Sequence, residues 1–204
     1  MRDWRPYPER LDGQTWLVTG ASGGIGRAIA LAANARGASV LVAARDADKL
    51  AALRAAAHEP ARLQPLAFDL SLVRQTRRLA DAVAARGQPL AVVVNNVGVL
   101  LNTFTRTTEG LEASLATNVL NHVVLTEALH ASGALDPRGV VVNMSSGGMY
   151  GAKLDLDTLL RDSAAGYDGM AAYAQHKRAQ VELTRAWNAQ WGGRPAVHVM
   201  HPGW

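Results

Sequence analysis

The chain has 204 residues, of which 49% are hydrophobic and 19% are charged, and its formal net charge is +4. This length and composition predict one globular domain with a substantial core and exclude an intrinsically disordered chain. Because the sequence contains no cysteine, disulfides, thiol catalysis and cysteine-ligated metals are also excluded.

The cationic residues are scattered and lack interleaved aromatic residues, so we expect no nucleic-acid partner. With no run near the roughly 18 apolar residues of a membrane span and no apolar signal region at the start, we expect no membrane span and a cytoplasmic location.

Short apolar runs rich in β-branched residues alternate with longer alanine-rich segments. The apolar runs predict six strands, at residues 15–19, 39–43, 63–68, 90–95, 139–144 and 196–201. The segments between them predict five helices, near residues 24–36, 46–57, 72–86, 109–131 and 171–191. The strands are almost continuously hydrophobic, which is typical of strands covered on both faces. The pattern predicts a single doubly wound α/β Rossmann domain whose parallel strands lie in the order 3-2-1-4-5-6.

Residues 147–170 interrupt this alternation with a long connection that contains several glycines and charged residues. Leu154, Leu156, Leu159 and Leu160 predict one short helical turn within it. Connections of this length are more often functional or mobile than decorative, and this one directly precedes Tyr173. We expect it to form a wall of a binding site.

A glycine-rich loop follows the first predicted strand and opens the first predicted helix. Its sequence is Thr19-Gly20-Ala21-Ser22-Gly23-Gly24-Ile25-Gly26. Gly20 permits the tight turn, Gly24 lets the backbone approach a pyrophosphate, and Gly26 lets the helix pack closely on the strand. The phosphates would lie at the positive N-terminal end of the helix. A tight turn without a ligand is the alternative, but the flanking strand and helix favour dinucleotide binding.

The end of the second predicted strand indicates which dinucleotide is bound. An acidic residue is expected there for the ribose of NAD, but Ala44 occupies the position and Arg45 follows it. Because an arginine suits a 2′-phosphate, the sequence favours NADP(H) over NAD(H). The alternative is that Arg45 is a solvated loop cation and that Asp46 caps the next helix.

Tyr173 and Lys177 lie four residues apart in a segment predicted to be helical. This spacing places both side chains on one helix face, one turn apart. A lysine ammonium beside a phenol favours the phenolate, which lowers the phenol pKa from about 10 toward the range of a proton-transfer catalyst. An exposed helix pair without a function is the alternative, so the pattern gains weight only from the motifs that accompany it.

Seven motifs in chain order resemble those of the short-chain dehydrogenase/reductase family. They are the glycine loop, Asp69-Leu70 after the third strand, Asn95-Asn96-Val97-Gly98 after the fourth, Asn118 in the fourth helix, Ser146 after the fifth strand, Tyr173 with Lys177, and Pro202-Gly203 after the sixth strand. Valine at position 97 replaces an alanine of the family's pattern. The resemblance extends from about residue 14 to the end of the chain. The runs around Ser146, Tyr173 and Pro202 resemble a subgroup close to the retinol-dehydrogenase-like branch.

The resemblance implies catalytic roles for four residues. Tyr173 donates a proton to the substrate oxygen in reduction or accepts it in oxidation, and Ser146 hydrogen-bonds that oxygen. Lys177 lowers the pKa of the tyrosine and binds the nicotinamide ribose, while Asn118 holds a water that links Lys177 to solvent. The resemblance and the ribose position at Arg45 together give the expected cofactor-binding residues. They are Gly20, Ser22, Gly24, Ile25, Gly26, Arg45, Asp69, Leu70, Asn95, Gly98, Tyr173, Lys177, Pro202 and Gly203.

Two departures from the family's pattern bear on the substrate. Ser146 and Tyr173 are 27 positions apart, more than in most members, so we expect the connection to bulge over the site without moving the four residues. The sequence ends at Trp204, before the substrate-binding loop, helix and seventh strand that usually follow. We therefore expect residues 1–204 to form a C-terminally incomplete NAD(P)-binding Rossmann-fold domain whose closure over substrate is affected.

The leading hypothesis is an NADP-dependent oxidoreductase that acts on a small or lipid-like alcohol, ketone or aldehyde. In the family, helices equivalent to residues 109–131 and 171–191 pair between subunits, which implies a homodimer or homotetramer. Two alternatives remain: a catalytically silent NADP(H)-binding sensor or scaffold with this fold, and another nucleotide-dependent Rossmann enzyme such as a methyltransferase. No metal site is expected, because the sequence shows no carboxylate–histidine cluster around His122, His176, His198 and His201.

Overall fold

The computed structural model describes residues 9–203, so residues 1–8 and the last residue, Trp204, lie outside it. The strands are β1 Thr15–Thr19, β2 Ser39–Ala44, β3 Leu63–Ala67, β4 Leu90–Asn95, β5 Leu135–Met144 and β6 Ala196–Met200. They form one parallel sheet in the order β3-β2-β1-β4-β5-β6, which confirms the predicted order. From β1 the chain adds β2 and β3 on one side of the sheet and then β4, β5 and β6 on the other, so the strand order reverses between β1 and β4. Such a switch point opens a crevice at the carboxyl ends of the strands.

Helices connect the strands. They are α1 Gly24–Ala35, α2 Ala47–Ala55, α3 Val73–Ala84, α4 Ala113–Leu115, α5 Asn121–Ala131, α6 Leu156–Leu159 and α7 Gly169–Gln190. A π-helical turn at Ala116–Leu120 joins α4 to α5, and 3-10 turns lie at Pro60–Arg62 and Gly147–Gly151. Within residues 9–203, no helix is both long and apolar enough to cross a membrane.

Two hydrophobic clusters on opposite faces of the sheet form the core. Leu17 and Val18 are adjacent on β1 and fully buried, and they belong to different clusters because successive strand residues point to opposite faces. One cluster packs the sheet against α3, α5 and α7, and the other packs it against α1 and α2. Each fully buried leucine or valine stabilises the fold by roughly 1.5–3 kcal/mol. The burial of both faces agrees with the continuous hydrophobic strands of the sequence.

The predicted helix at residues 109–131 is wrong at its start and in its continuity. Gly110 has a positive φ of 80°, and an isolated antiparallel bridge pairs Arg106 with Glu112, so the chain turns back instead of beginning a helix. Helix α4 begins only at Ala113, where the buried Glu112 carboxylate caps the first amides. The π-helical turn at Ala116–Leu120 then divides the helix that was predicted to be continuous.

Strand β5 begins at Leu135, four residues before the predicted start. Pro137 and Gly139 weakened the strand pattern in the sequence, but Leu135 pairs with Leu90 of β4. A register shift between Leu90 and Val92 absorbs the irregularity.

The connection at residues 147–170 packs against α7. Helix α6 confirms the predicted short helical turn, and Asp155 caps it by accepting a hydrogen bond from the Thr158 amide at 2.8 Å. Gln175 on α7 hydrogen-bonds the backbone of this segment: its Nε2 donates to the Lys153 carbonyl at 2.8 Å, and its Oε1 accepts from the Asp155 amide at 3.1 Å. The connection is thereby fixed to the helix that carries Tyr173.

Candidate active site

A cleft of about 540 Å³ lies at the carboxyl ends of the central strands. Its lining comes from the loops that follow β1, β2, β3 and β4, together with residues of α4 and the π-helical turn. Six of the predicted cofactor residues line it: Gly20, Ser22, Arg45, Asp69, Leu70 and Gly98. The cleft is at the switch point of the sheet, which is where doubly wound sheets bind their ligands.

Gly20 and Gly26 shape the loop between β1 and α1. Gly20 has a φ of +65°, and a Cβ there would lie 2.9 Å from Nδ2 of Asn96. A Cβ at Gly26 would lie 2.5 Å from the Gly20 carbonyl oxygen. Gly20 therefore serves the turn, and Gly26 serves the close approach of helix and strand. Gly24 and Ile25 are exposed where α1 begins, at the amides that a helix N-terminus offers to an anion.

Thr19 and Asn96 fasten the glycine loop to the end of β4. The Thr19 hydroxyl donates to the Val94 carbonyl at 3.2 Å and accepts from the Asn96 amide at 3.0 Å. In return, Asn96 Nδ2 donates to the Thr19 carbonyl at 2.9 Å. Asn96 also lines the cleft. In the sequence analysis, its neighbour Asn95 was the expected cofactor-binding residue.

That neighbour, Asn95, does not reach the cleft. Its side chain is fully buried, and Nδ2 donates to Oγ1 of Thr126 and to Oδ1 of Asn143, both at 2.9 Å. Because side chains alternate along a strand, Asn95 at the end of β4 points into the interior while Asn96 emerges at the sheet edge. The Asn95 side chain therefore forms an internal link between β4, β5 and α5.

The end of β2 presents a cation to the cleft. Arg45 is exposed and lines the cleft next to the small side chain of Ala44. The carboxylate of Asp46 caps α2, since its Oδ1 accepts from the Lys49 amide at 3.0 Å. The alternative reading of Asp46 as a cap is thus confirmed, and it coexists with a cleft-lining Arg45.

The end of β3 presents a carboxylate. Asp69 lines the cleft, and its Oδ1 accepts hydrogen bonds from the amide and the hydroxyl of Ser71 at 2.9 and 2.7 Å. The Asp69 amide donates to Oε1 of Gln75 at 2.8 Å. The two bonds from Ser71 fix the orientation of the carboxylate, and the bond to Gln75 holds the backbone of the loop before α3.

Lys177 is buried at the inner end of the site, with 3% of its surface exposed. Its Nζ donates to the Met144 carbonyl at 2.8 Å and lies 5.4 Å from the centroid of the Tyr173 ring. Burial lowers the pKa of Lys177 to about 8. A Cβ on the cleft residue Gly98 would lie 3.2 Å from both Lys177 Nζ and Asn118 Oδ1, so the three residues meet where the glycine has no side chain.

Asn118 lies in the π-helical turn and is fully buried. Its Oδ1 accepts from the Val99 amide at 2.8 Å, and its Nδ2 donates to the Val99 carbonyl at 2.7 Å. Its main-chain carbonyl accepts from Nε2 of Gln180 at 2.8 Å. The side chain thus holds the backbone after β4, and the carbonyl already has a side-chain donor. Isolated π turns of this kind are frequent at functional sites.

Ser145 and Ser146 follow β5 and differ in their contacts. Ser145 is buried, and its hydroxyl donates to the Lys177 carbonyl at 2.8 Å, which ties the strand to α7. Ser146 is half-buried and precedes the 3-10 turn. Within that turn, a Cβ on Gly148 would lie 3.9 Å from Cδ1 of Tyr173. The structure therefore brings the segment of Ser146 against Tyr173 in spite of their separation in sequence.

Two buried histidines flank the lysine. Burial lowers the pKa of His122 to about 3 and that of His176 to about 4, and the Lys177 charge acts in the same direction. His176 Nδ1 lies 3.3 Å from Nδ2 of Asn118, and its Nε2 lies 4.0 Å from Oε2 of Glu112. Sequence reasoning considered these histidines only as metal ligands. In the part of the chain that the structure describes, no group of three His, Asp or Glu side chains is placed to hold a metal ion.

Pro202 and Gly203 follow β6 and are exposed. Among the described residues 9–203 that line the cleft, neither Pro202 nor Gly203 is present. The Ser145 amide donates to the Met200 carbonyl at 2.7 Å, so the segment leaves the sheet beside the end of β5.

Comparison with known proteins identifies the family. A family model described as short chain dehydrogenase matches residues 14–154. The chain belongs to the short-chain dehydrogenase family. Dehydrogenase/reductase SDR family member 12 of Bos taurus is 36% identical in an alignment 202 positions long that covers 96% of this chain and 62% of the relative. Retinol dehydrogenase 13 of Mus musculus is 30% identical in an alignment 203 positions long that covers 97% of this chain and 60% of the relative. The resemblance to this branch is confirmed, and the chain spans less than two thirds of the length of these curated relatives.

Solved structures of other proteins share the fold. An uncharacterised protein from Mycobacterium paratuberculosis has a TM-score of 0.78 and 30% identity, covering 96% of this chain and 70% of that one. A blue fluorescent protein from a metagenomic library, solved in complex with NADPH, has a TM-score of 0.74 and 26% identity, covering 95% of this chain and 75% of that one. These likenesses confirm a single Rossmann-type α/β domain.

Proposed function

We propose that this chain is an oxidoreductase that transfers a hydride between NADP(H) and an alcohol/carbonyl pair. The observation that carries the proposal is the buried Lys177, whose ammonium lies 5.4 Å from the Tyr173 ring centroid and adjoins Gly98 of the cleft lining. A buried amine beside a phenol, at the edge of a cleft opened by a glycine-rich loop, is a proton-transfer site next to a dinucleotide site.

The residues present fit a nicotinamide dinucleotide. The glycine loop leads into the first amides of α1, which suit a pyrophosphate. We assign the adenine amino group to Asp69, whose carboxylate is held at the cleft by Ser71. We assign the nicotinamide ribose to Lys177, which adjoins Gly98 of the cleft lining. When bound, the nicotinamide supplies or accepts the hydride. The protein's part is to orient the reactants and to move the proton.

NADP(H) is favoured over NAD(H) by the end of β2. There Arg45 lines the cleft beside Ala44, while the carboxylate of the next residue, Asp46, caps α2. A guanidinium suits a 2′-phosphate, whereas a carboxylate at this position would suit a ribose 2′-hydroxyl. The NADPH complex of the metagenomic protein agrees with this assignment without deciding it.

Tyr173 is proposed to hold the proton that the substrate oxygen gains in reduction or loses in oxidation. Lys177 supplies positive charge beside it, and the hydroxyl of Ser146 stabilises negative charge that develops on the substrate oxygen. Asn118 acts through Val99: by pairing with both backbone groups of that residue it fixes the turn between the cleft and the lysine.

The substrate is proposed to be a small or lipid-like alcohol, ketone or aldehyde, with the connection at residues 147–170 as a wall of its site. The names of the curated relatives, a dehydrogenase/reductase and a retinol dehydrogenase, agree with this substrate class. A homodimer or homotetramer and a cytoplasmic location remain predictions.

The test combines cofactor binding with turnover. Calorimetric titration with NADPH, NADH and S-adenosylmethionine is followed by NADPH consumption assays with short-chain and long-chain aldehydes and ketones. We expect NADPH to bind at least about tenfold more tightly than NADH and at least one carbonyl to be reduced. Binding of S-adenosylmethionine in place of either nicotinamide cofactor, or NADPH binding without turnover of any carbonyl, would contradict the proposal.

A further inference from the structure

Gln180 makes three contacts in the interior beside the lysine. It lies on α7 three residues after Lys177 and is fully buried. Its Nε2 lies 2.8 Å from the Asn118 carbonyl oxygen and 3.2 Å from Nδ1 of His122. Its Oε1 lies 3.4 Å from Nζ of Lys177.

The chemistry of the neighbours determines how the Gln180 amide is oriented. The Asn118 carbonyl can only accept a hydrogen bond, so the atom that faces it must be the amide nitrogen. The Lys177 ammonium can only donate, so the atom that faces it must be the amide oxygen. Both constraints agree with one orientation of the amide, and the opposite orientation would place a donor against a donor.

His122 continues the same chain of hydrogen bonds to the cleft. Because Gln180 Nε2 donates to it, Nδ1 of His122 is an acceptor, and the proton of the neutral ring is on Nε2. That nitrogen lies 3.1 Å from the Val97 carbonyl oxygen, which can only accept. Val97 lines the cleft next to Gly98. An unbroken chain of donors and acceptors therefore joins the Lys177 ammonium to the turn after β4.

We propose that Gln180 is a positioning residue for Lys177, and that the Gln180–His122 pair couples the lysine ammonium to the turn that lines the dinucleotide cleft. Gln180 and the Met144 carbonyl accept hydrogen bonds from two of the three N–H groups of the ammonium. The third N–H group is left for an acceptor in the active site. The Gln180 side chain links Lys177 to the Asn118 carbonyl. The catalytic part of this inference rests on the proposed function.

Few titratable groups surround the lysine. Those on the elements packed against it are Tyr173 and His176 on α7, His122 on α5 and, beyond His176, Glu112 at the start of α4. β5 contributes the Met144 carbonyl, and the turn after β4 contributes Gly98. Since burial keeps both histidines neutral above pH 5 in the wild-type chain, their titration lies below the pH range in which Lys177 loses its proton.

The charge state of Lys177 can be measured directly, without cofactor or substrate. The sequence contains three lysines, Lys49, Lys153 and Lys177, so a sample labelled with ¹³C or ¹⁵N in lysine gives three side-chain signals, of which one belongs to a buried amine. We expect Gln180→Met, which keeps the size of the side chain and removes the acceptor, to lower the pKa of Lys177 by about 0.5 to 1. Gln180→Glu keeps an oxygen toward the ammonium and adds negative charge, so it should raise that pKa by about 1 or more.

These directions distinguish positioning from general loosening of the site. Loosening would hydrate Lys177 and move its pKa up toward the ordinary value of about 10.4 in both variants. A rise or no change in Gln180→Met would overturn the proposal. If that variant does not fold, Gln180→Leu, which also removes the acceptor, takes its place: a lowered pKa would support the proposal, and a rise or no change would overturn it. An unchanged pKa in a folded Gln180→Glu protein would also overturn it, because negative charge added beside the ammonium must raise its pKa.

A matched control and an activity readout complete the test. Asn188 is another α7 amide, and it hydrogen-bonds both backbone groups of Val197 on β6, away from the lysine. Asn188→Leu should lower thermal stability and leave the pKa of Lys177 unchanged. In the Gln180 variants, the pH profile of kcat/KM should shift in the same direction as the pKa of Lys177. Shifted pKa values without any NADPH-dependent turnover in the wild-type chain would contradict the oxidoreductase proposal alone, whereas turnover with an unshifted pKa would contradict the role of Gln180 alone.

Discussion

The Lys177 ammonium lies 5.4 Å from the centroid of the Tyr173 ring, and the same nitrogen donates to the Met144 carbonyl at 2.8 Å. Helical spacing places the two side chains on one face, and the end of β5 provides the acceptor that makes a buried ammonium tolerable. Because burial lowers the pKa of Lys177 to about 8, the lysine is charged at pH 7 and loses its charge within a range that an enzyme assay covers.

We expect the rate of carbonyl reduction to fall as the pH rises through about 8. Below that pH Lys177 carries the positive charge that stabilises an anion on Tyr173 or on the substrate oxygen, and above it the charge is lost. Lys177→Met should remove this limb of the kcat/KM profile and lower kcat at pH 7 by about 10²-fold or more. Lys49→Met, at an exposed lysine, should keep the wild-type profile. A wild-type rate that stays constant from pH 7 to well above 8 would contradict the role of Lys177.

Arg45→Ala should weaken NADPH binding by about 10- to 100-fold and change NADH binding by less than about threefold, because a charge-assisted hydrogen bond to phosphate is worth about 1.5–3 kcal/mol. Titration calorimetry with each cofactor measures both constants. Arg77→Ala removes an exposed arginine of α3 and serves as the control for net charge. Equal losses for NADPH and NADH in Arg45→Ala would show that Arg45 does not read the 2′-phosphate.

Gly26→Ala should destabilise the fold by about 1–3 kcal/mol, because the added methyl group would lie 2.5 Å from the Gly20 carbonyl oxygen and force the helix away from the strand. Gly23→Ala is the matched variant in the same loop. A Cβ at Gly23 meets no atom within 4 Å, and its φ of −167° suits any residue, so its free energy of unfolding should stay within about 0.5 kcal/mol of wild type. Urea denaturation of the two variants compares them, and equal stabilities would contradict the packing role of Gly26.

The two buried histidines should make the fold sensitive to acid. Their pKa values of about 3 for His122 and about 4 for His176 lie below the ordinary value of 6.5, so the unfolded chain binds their protons more readily than the folded one. The resulting stability is fully present above pH 6.5 and is lost as the pH falls toward 4 and then 3. Between pH 7 and 5 each histidine should account for a loss of about 2 kcal/mol.

Urea denaturation at pH 7 and pH 5 measures this loss. His176→Gln should lose about 2 kcal/mol less than wild type between the two pH values, whereas His198→Gln, at an exposed histidine, should behave as wild type. The same acid loss in His176→Gln as in wild type would mean that His176 does not titrate as a buried group.

The order of the sheet was predictable because continuous apolar runs such as Val40–Val42, separated by helical segments, leave few right-handed topologies. The cleft was predictable for a related reason: the loops after β1, β2 and β3 must meet at one sheet edge, which brings Gly20, Arg45 and Asp69 to a common lining. Both inferences depend on local patterns and on rules of chain geometry.

Other features depend on contacts between distant residues. The π-helical turn accompanies the pairing of Asn118 with the backbone of Val99, 19 positions earlier, which local periodicity cannot indicate. The direction of Asn95 and Asn96 depends on the residue at which β4 ends, and a shift of one position exchanges their roles. Gln180 was detectable in part, since its spacing of three from Lys177 places both on one helix face, but its bond to His122 spans 58 positions.

The most direct measurement of the central claim is the rate of NADPH-dependent carbonyl reduction in Tyr173→Phe, with NADPH affinity determined on the same sample. We expect the rate to fall by about 10²- to 10⁴-fold, because the proton donor is lost, while the NADPH dissociation constant and the thermal stability stay close to those of wild type. Tyr150→Phe, at an exposed tyrosine of the 3-10 turn, should reduce the same carbonyl at the wild-type rate. A Tyr173→Phe protein that binds NADPH and reduces the carbonyl as fast as wild type would contradict the account.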